Sequence, residues 1–292
     1  MLRVLANITI KIISFFPLKL LYGISSILYF IIYYILRYRK KIVRHNINIA
    51  FPNKNIKEKQ IIEKNFYKNF TDFIIEFIKI FSMTQQDFNK HISIKNLEIL
   101  EKSKKENKDV ILLAGHLFNW EWLIGVSKQL PQNEAYAVYK KVANGFFDFE
   151  VFQARSKFGT IPLSVKDATR KMIGLPNDGT HAYLFVADQS PYKTRIHYEL
   201  EFFNRLTPVF NGYDKIARKK NYHVFYLEMN KIYRGKYEVV IKSILPDQQN
   251  FRENEIVEKF YQNLNHNIIK HSALWLWSHK RWKYTSGIDY KL

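Results

Sequence analysis

Residues 109–122 read DVILLAGHLFNWEW. The unbroken apolar run to Ala114, without alternation, is the pattern of a strand buried on both faces, as in a parallel sheet. Gly115 and His116 follow at once, and HLFNWEWLIGVSKQL reads as the start of a helix, with Asn119 as its natural N-cap. That join places His116 at the carboxyl end of a strand, where open α/β sheets carry their sites.

Working outward, the same alternation recurs. Strands are expected near Ala135–Tyr139 and Ala182–Ala187, with a helix at 147–158 between them and Asp188 ending the second strand. A helix over Asn211–Lys219 precedes a hairpin of Tyr222–Met229 and Tyr237–Ile244 that turns at Arg234-Gly235, and Glu253–Lys270 is a last long helix. Upstream, Pro52 breaks the chain, and Ile61, Ile62, Phe66, Phe70, Phe73, Ile74 and Phe77 recur at helical spacing. The fold class is α/β, a mixed central sheet flanked by helices.

Leu20–Leu36, LLYGISSILYFIIYYIL, carries no charge and is slightly shorter than the ~20 residues of a bilayer span. Arg37, Arg39, Lys40, Lys41 and Arg44 follow, and Tyr29, Tyr33 and Tyr34 suit a headgroup interface. No small-residue cleavage site of the secretory kind follows Leu36. The expectation is a membrane-anchoring helix with its basic flank in residues 1–44 and the functional domain in 45–292. A span, an interfacial helix and a buried helix all remain open, and the positive flank places the rest of the chain in the cytoplasm.

The chain has 292 residues, 46 Lys plus Arg against 26 Asp plus Glu, and a formal charge of +20. That balance favours an anionic partner. With no cysteine, thiol nucleophiles, disulfides and zinc ribbons are excluded. No HExxH cluster, glycine-rich phosphate loop or GxSxG elbow is present, so neither metal nor cofactor is expected.

His116 can take a proton from a hydroxyl near neutral pH, and a carboxylate can orient its ring. Glu121 is the carboxylate in sequence reach. On a regular helix residues five apart point about 140° away from each other, so the pair works only if His116 sits on the turn and Glu121 in the first helical turn. No protein nucleophile stands beside them; if the attacking hydroxyl belongs to the substrate, none is required and the reaction is direct acyl transfer to an alcohol. Arg155, in QARSKFG, offers fixed donors for an oxyanion or a phosphate; Asp188 and Gln189 can position an acceptor hydroxyl or orient Arg155. Asn119 is also a candidate substrate-binding residue, and His279 and Arg281 either contact ligand or lock the C-terminus to the core.

AGHLFNWEW resembles the signature of the lysophospholipid acyltransferase superfamily, specifically its lipid A late-acyltransferase branch. RHNINIAFP at 44–52 resembles that branch's lead-in, VADQ at 186–189 with FFN at 202–204 and Thr207 its second stretch, and WLWSHKRWK at 275–283 its closing motif. Two departures stand out: Asn204 replaces the usual glycine of FFG, and Leu117 and Phe118 alter the first motif. The resemblance implies a glycerol-3-phosphate acyltransferase-like fold and catalysis by His116 and Glu121. It further implies transfer of a fatty acyl group from acyl carrier protein or acyl-CoA to a hydroxyl of an anionic glycolipid, or of a phospholipid, at the cytoplasmic face of the bacterial inner membrane. Within the superfamily a lysophospholipid, an aminolipid or a mannosylated lipid is an alternative acceptor. A noncatalytic basic membrane scaffold is the alternative of another class, and nucleic-acid recognition motifs are lacking.

Overall fold

The computed structural model describes residues 2–140, 145–245, 251–288 and 290. The chain opens with helices α1 (Leu2–Phe15), α2 (Leu18–Phe30, continued by a π-helical turn over Ile31–Ile35), α3 (Lys40–Ala50), α4 (Ile56–Ile80) and α5 (Gln85–His91). Strand β1 (Ile92–Lys95) and helix α6 (Glu98–Lys105) precede β2 (Val110–Ala114). A 3-10 helix over Trp120–Gln129 leads to β3 (Glu134–Tyr139), α7 (Gly145–Ser156), β4 (Thr160–Ser164), α8 (Val165–Gly174) and β5 (His181–Val186). The short β6 (Glu199–Glu201) and β7 (Leu206–Pro208), helix α9 (Gly212–Lys220), the hairpin β8 (His223–Tyr233) and β9 (Lys236–Ser243), and α10 (Glu255–Lys270) complete the order.

Seven strands form one sheet in the order β1-β9-β8-β2-β5-β3-β4, while β6 and β7 pair separately. All neighbours in the large sheet are parallel except β8 and β9, which are antiparallel, as a hairpin must be. All five residues of β2 are buried, which is why that strand reads as an unbroken apolar run. The expected α-helix after His116 forms instead as a 3-10 helix, tighter and with poorer hydrogen bonds. Two further strands, β1 and β4, extend the sheet at its edges.

Two N-terminal features bear on the site. Helix α3 carries Asn46, fully buried, whose amide donates to Trp277 O (2.7 Å) and His279 O (2.8 Å). The lead-in segment therefore holds the closing motif in place. Helix α2 and its continuation, Leu18–Ile35, are long and apolar enough to cross a membrane. One face packs on α4, with Leu21 buried and Ser25 donating to Asp72 Oδ1 (2.6 Å); Ile27, Phe30 and Ile35 on other faces stay exposed.

Candidate active site

His116 is the first side chain beyond the Gly115 turn at the carboxyl end of β2. A Cβ on Gly115 would lie 2.4 Å from Leu264 of α10, so only glycine lets the chain pass this close before the histidine. The main chain of His116 and its successors is then clamped by the closing motif: Leu276 N donates to His116 O (3.0 Å), and Phe118 N donates to Leu274 O (3.0 Å).

Strand register brings the partner. Ala114 of β2 stands opposite Val186 of β5, so two residues further along each chain His116 meets Asp188. His116 Nδ1 is hydrogen-bonded to Asp188 Oδ1, and the His116 backbone N–H donates to Oδ2 (3.0 Å). Trp275 Nε1 donates to the same Oδ2 at 2.6 Å. Burial pushes the Asp188 carboxyl up, but the facing imidazole and these hydrogen bonds outweigh it and hold the group down at about 2. Asp188 is thus an anion at any working pH. The histidine side chain remains 16% exposed, and its Nε2 lies 3.1 Å from the amide nitrogen of the exposed Gln189.

This geometry corrects the pairing expected of Glu121. Glu121 sits in the first turn of the 3-10 helix, where its carboxylate accepts Arg155 Nη2 (2.7 Å) and Nε (3.1 Å) in a two-point ion pair. The carboxylate on His116 is therefore Asp188, and Glu121 serves Arg155. The two pairs are adjacent, because the Trp120 ring lies 5.0 Å from that of His116 while its Nε1 donates to Glu121 Oε1 (3.2 Å). The role considered for Asp188, orienting Arg155, likewise passes to Glu121.

The other expected residues divide. Asn119 caps the 3-10 helix as anticipated, accepting from Glu121 N (3.1 Å), but it is fully buried and its amide donates to Glu76 Oε2 (2.9 Å). It shapes the loop from behind instead of facing a ligand. Arg281 is 1% exposed and donates to Pro208 O and Tyr261 Oη, both at 2.9 Å, so ligand contact is replaced by a brace between β7, α10 and the closing motif. Burial first, then the nearby Arg281 charge, push His279 down to about 3 and keep it neutral. Ser190, two residues after Asp188, gives its hydroxyl to Arg281 O (2.5 Å).

A second His/Asp pair exists at the other end of the same strands, where His181 Nδ1 meets Asp109 Oδ2 (2.9 Å). It is buried at the amino ends of β2 and β5, where it ties the strands together. Residue type does not separate the two pairs; position in the sheet does. Trp275 and Trp120 were not anticipated as parts of the site, and the tryptophan-rich closing motif was the signal that pointed toward the former.

The FFN segment packs against the same motif. Phe202 lies 5.8 Å from Trp275 and 6.1 Å from Trp282, and Thr207 Oγ1 accepts Trp282 Nε1 (3.1 Å). Asn204 has φ +56°, the left-handed region that glycine favours and asparagine tolerates best among the rest. The departure from glycine at this position is conformationally conservative.

Comparison with known proteins adds two findings. The profile of the family described as bacterial lipid A biosynthesis acyltransferase matches residues 1–284. The chain is also similar to "Lipid A biosynthesis acyltransferase 2" of Shigella flexneri, 28% identical over 145 residues, which are 49% of this chain and 45% of that protein. The similarity thus spans about half the length of this curated relative.

Proposed function

The chain belongs to the bacterial lipid A biosynthesis acyltransferase family, and from that premise we propose that it transfers a fatty acyl group from an acyl thioester, carried by acyl carrier protein, to a hydroxyl of a lipid A precursor. The observation that carries the reading is His116 held between a buried anion on Nδ1 and, on Nε2, the amide of the exposed Gln189 side chain. Asp188 keeps the proton on Nδ1, which makes Nε2 the acceptor: it takes the Gln189 amide N–H in this structure, and the acceptor hydroxyl replaces that amide when substrate binds. As the hydroxyl oxygen attacks the thioester carbon, its proton passes to Nε2, and Asp188 stabilises the imidazolium. The C–O bond forms, the C–S bond breaks, and the imidazolium returns the proton to the thiolate. Arg155, aimed by Glu121, stabilises the oxygen of the tetrahedral intermediate. No acyl-enzyme is needed, in keeping with the lack of cysteine and the engagement of Ser190.

The N-terminal helices seat this site on the cytoplasmic leaflet of the inner membrane, with residues 1–44 as the anchoring part of the molecule. The exposed Phe149 and Phe152 on α7, the helix that presents Arg155, add apolar surface beside the site. Lys79 ties α4 to Ser14 O (2.8 Å) of α1, and Lys157 ties the end of α7 to Phe81 O (2.7 Å), so this surface adjoins the N-terminal helices.

The test is incubation of purified full-length protein with acyl carrier protein thioesters, acyl-CoA and a panel of acceptor lipids, read by mass spectrometry. A new ester on a lipid A precursor is expected. Acylation confined to lysophospholipids, or no acyl transfer, would refute the assignment.

A further inference from the structure

Glu76 lies within α4, is fully buried, and takes no part in the chemistry described. Among the described residues its carboxylate accepts hydrogen bonds from neutral donors, Tyr22 Oη on Oε1 at 2.8 Å, and Asn119 Nδ2 and Tyr237 Oη on Oε2, each at 2.9 Å, with the Lys231 charge acting from further off. Its main-chain carbonyl accepts Trp122 Nε1 at 3.1 Å. One residue therefore grips the catalytic loop on both sides of Glu121, at Asn119 through its side chain and at Trp122 through its backbone. Burial pushes the Glu76 carboxyl up, against the hydrogen bonds that favour its ionised form. Such a group is retained at a cost, and a buried Leu or Met would fill the space without it.

Another of these donors, Tyr22, belongs to the apolar α2, and its position is closely set. The Arg234 guanidinium lies 4.4 Å from the Tyr22 ring and donates to Tyr22 O (3.2 Å). A Cβ on Gly235, at φ +78°, would stand 2.3 Å from Tyr22 Oη, so the hairpin turn must be glycine for conformation and for space. One turn along α2, Ser25 reaches Asp72, which Arg234 also grips at 2.6–3.0 Å. Helix α2 is keyed to the catalytic domain by polar contacts at defined points, which a plain hydrophobic anchor does not require.

We infer that Glu76 is a positioning residue that couples the docking of α2 to the catalytic loop, so that the Glu121–Arg155 pair is held in place only while Tyr22 occupies its site on Glu76. Losing Tyr22 removes one of the three donors and loosens the carboxylate that fixes Asn119, and Asn119 is the cap of Glu121. The apolar N-terminal helix then has a second task beyond attachment. This inference rests on the acyl-transfer reading for its activity readout alone.

The experiment compares full-length wild type, Tyr22→Phe and Glu76→Gln in the same detergent micelles. Hydrogen–deuterium exchange is followed in a peptide covering residues 117–124 and in a control peptide from β8, alongside acyl-transfer kinetics. Tyr22→Phe should speed exchange in the loop about fivefold, the effect of one lost buried hydrogen bond, with β8 unchanged. Turnover should fall with the Michaelis constant held, and Glu76→Gln should do the same more strongly, because its amide puts a donor among donors. Loop exchange equal to wild type in Tyr22→Phe would overturn the coupling, whatever Glu76→Gln does. Equal acceleration in the loop and in β8 would also overturn it, by reducing the contact to general stability. If wild type transfers no acyl group, the functional reading fails and the exchange comparison still decides this inference.

Discussion

At the residue scale, two arginines of similar appearance in the sequence separate by what they touch. Arg155 pairs with Glu121 beside the histidine, whereas Arg281 is enclosed behind it by neutral acceptors. Arg155→Lys keeps the charge and loses the two-point geometry, so turnover should drop at least about tenfold with folding intact. Arg281→Ala should instead leave turnover per folded molecule near wild type and lower stability by about 2–3 kcal/mol, since it leaves buried carbonyl and hydroxyl groups unpaired. Steady-state kinetics with thermal unfolding of both variants checks this, and the reverse pattern would contradict it. His279 supplies a pH signature. Its folded pKa, about 3, is below the ordinary value of 6.5, so between these limits the unfolded chain binds the extra proton and stability falls as pH falls. Asp188 has the same sign in a lower window, its stabilising effect being lost as pH drops from the ordinary 3.8 toward 2. His279→Gln should flatten the loss of stability from pH 6.5 to 4; a denaturation series showing the same slope as wild type would refute this.

At the element scale, much of the architecture was legible. A two-face-buried strand, a hairpin with Gly235 in its turn and a long amphipathic α10 each declare themselves through local pattern. The partner of His116 did not, because it is set by the register of β2 against β5, which joins residues 72 apart in the chain. Local spacing favoured Glu121 for the same reason that it misled: proximity in sequence is not proximity across a sheet. The edge strands β1 and β4 are only four and five residues long and left little periodicity to read. The turn after β6 offers a clean test of local conformation, because Asn204 is exposed at φ +56°. Asn204→Ala should cost about 1 kcal/mol from left-handed strain and Asn204→Gly close to nothing. Chemical denaturation distinguishes them, and equal stability of the two would show that the turn relaxes. Removal of residues 1–35 is the harsher element-scale change. It uncovers Asp72 and Glu76 and strips the partner of Leu21's face, so a lowered melting temperature is expected together with release from membranes. A truncated protein that is soluble and melts as the full chain does would contradict the keyed docking of α2.

At the scale of the whole molecule, the charge of +20, the exposed apolar faces of α1, α2 and α7, and a site at the carboxyl edge of the sheet converge on one proposed setting: a basic enzyme at a lipid surface meeting acidic reactants. Electrostatic attraction of an acidic carrier should make kcat/KM fall as salt rises from ~0.1 to ~1 M, which shortens the screening length from ~10 to ~3 Å. A small uncharged thioester should show little of this dependence, and equal salt sensitivity for both donors would assign the charge elsewhere. The central step of the proposed reaction is proton removal by His116 with Asp188 behind it. The most direct measurement is acyl-transfer turnover of Asp188→Asn beside wild type and His116→Ala, each verified as folded. General-base assistance is worth ~100- to 10,000-fold. Both variants should therefore lose at least about a hundredfold in turnover while the Michaelis constants stay within a few fold, and Asp188→Asn retaining near-normal turnover would contradict the account.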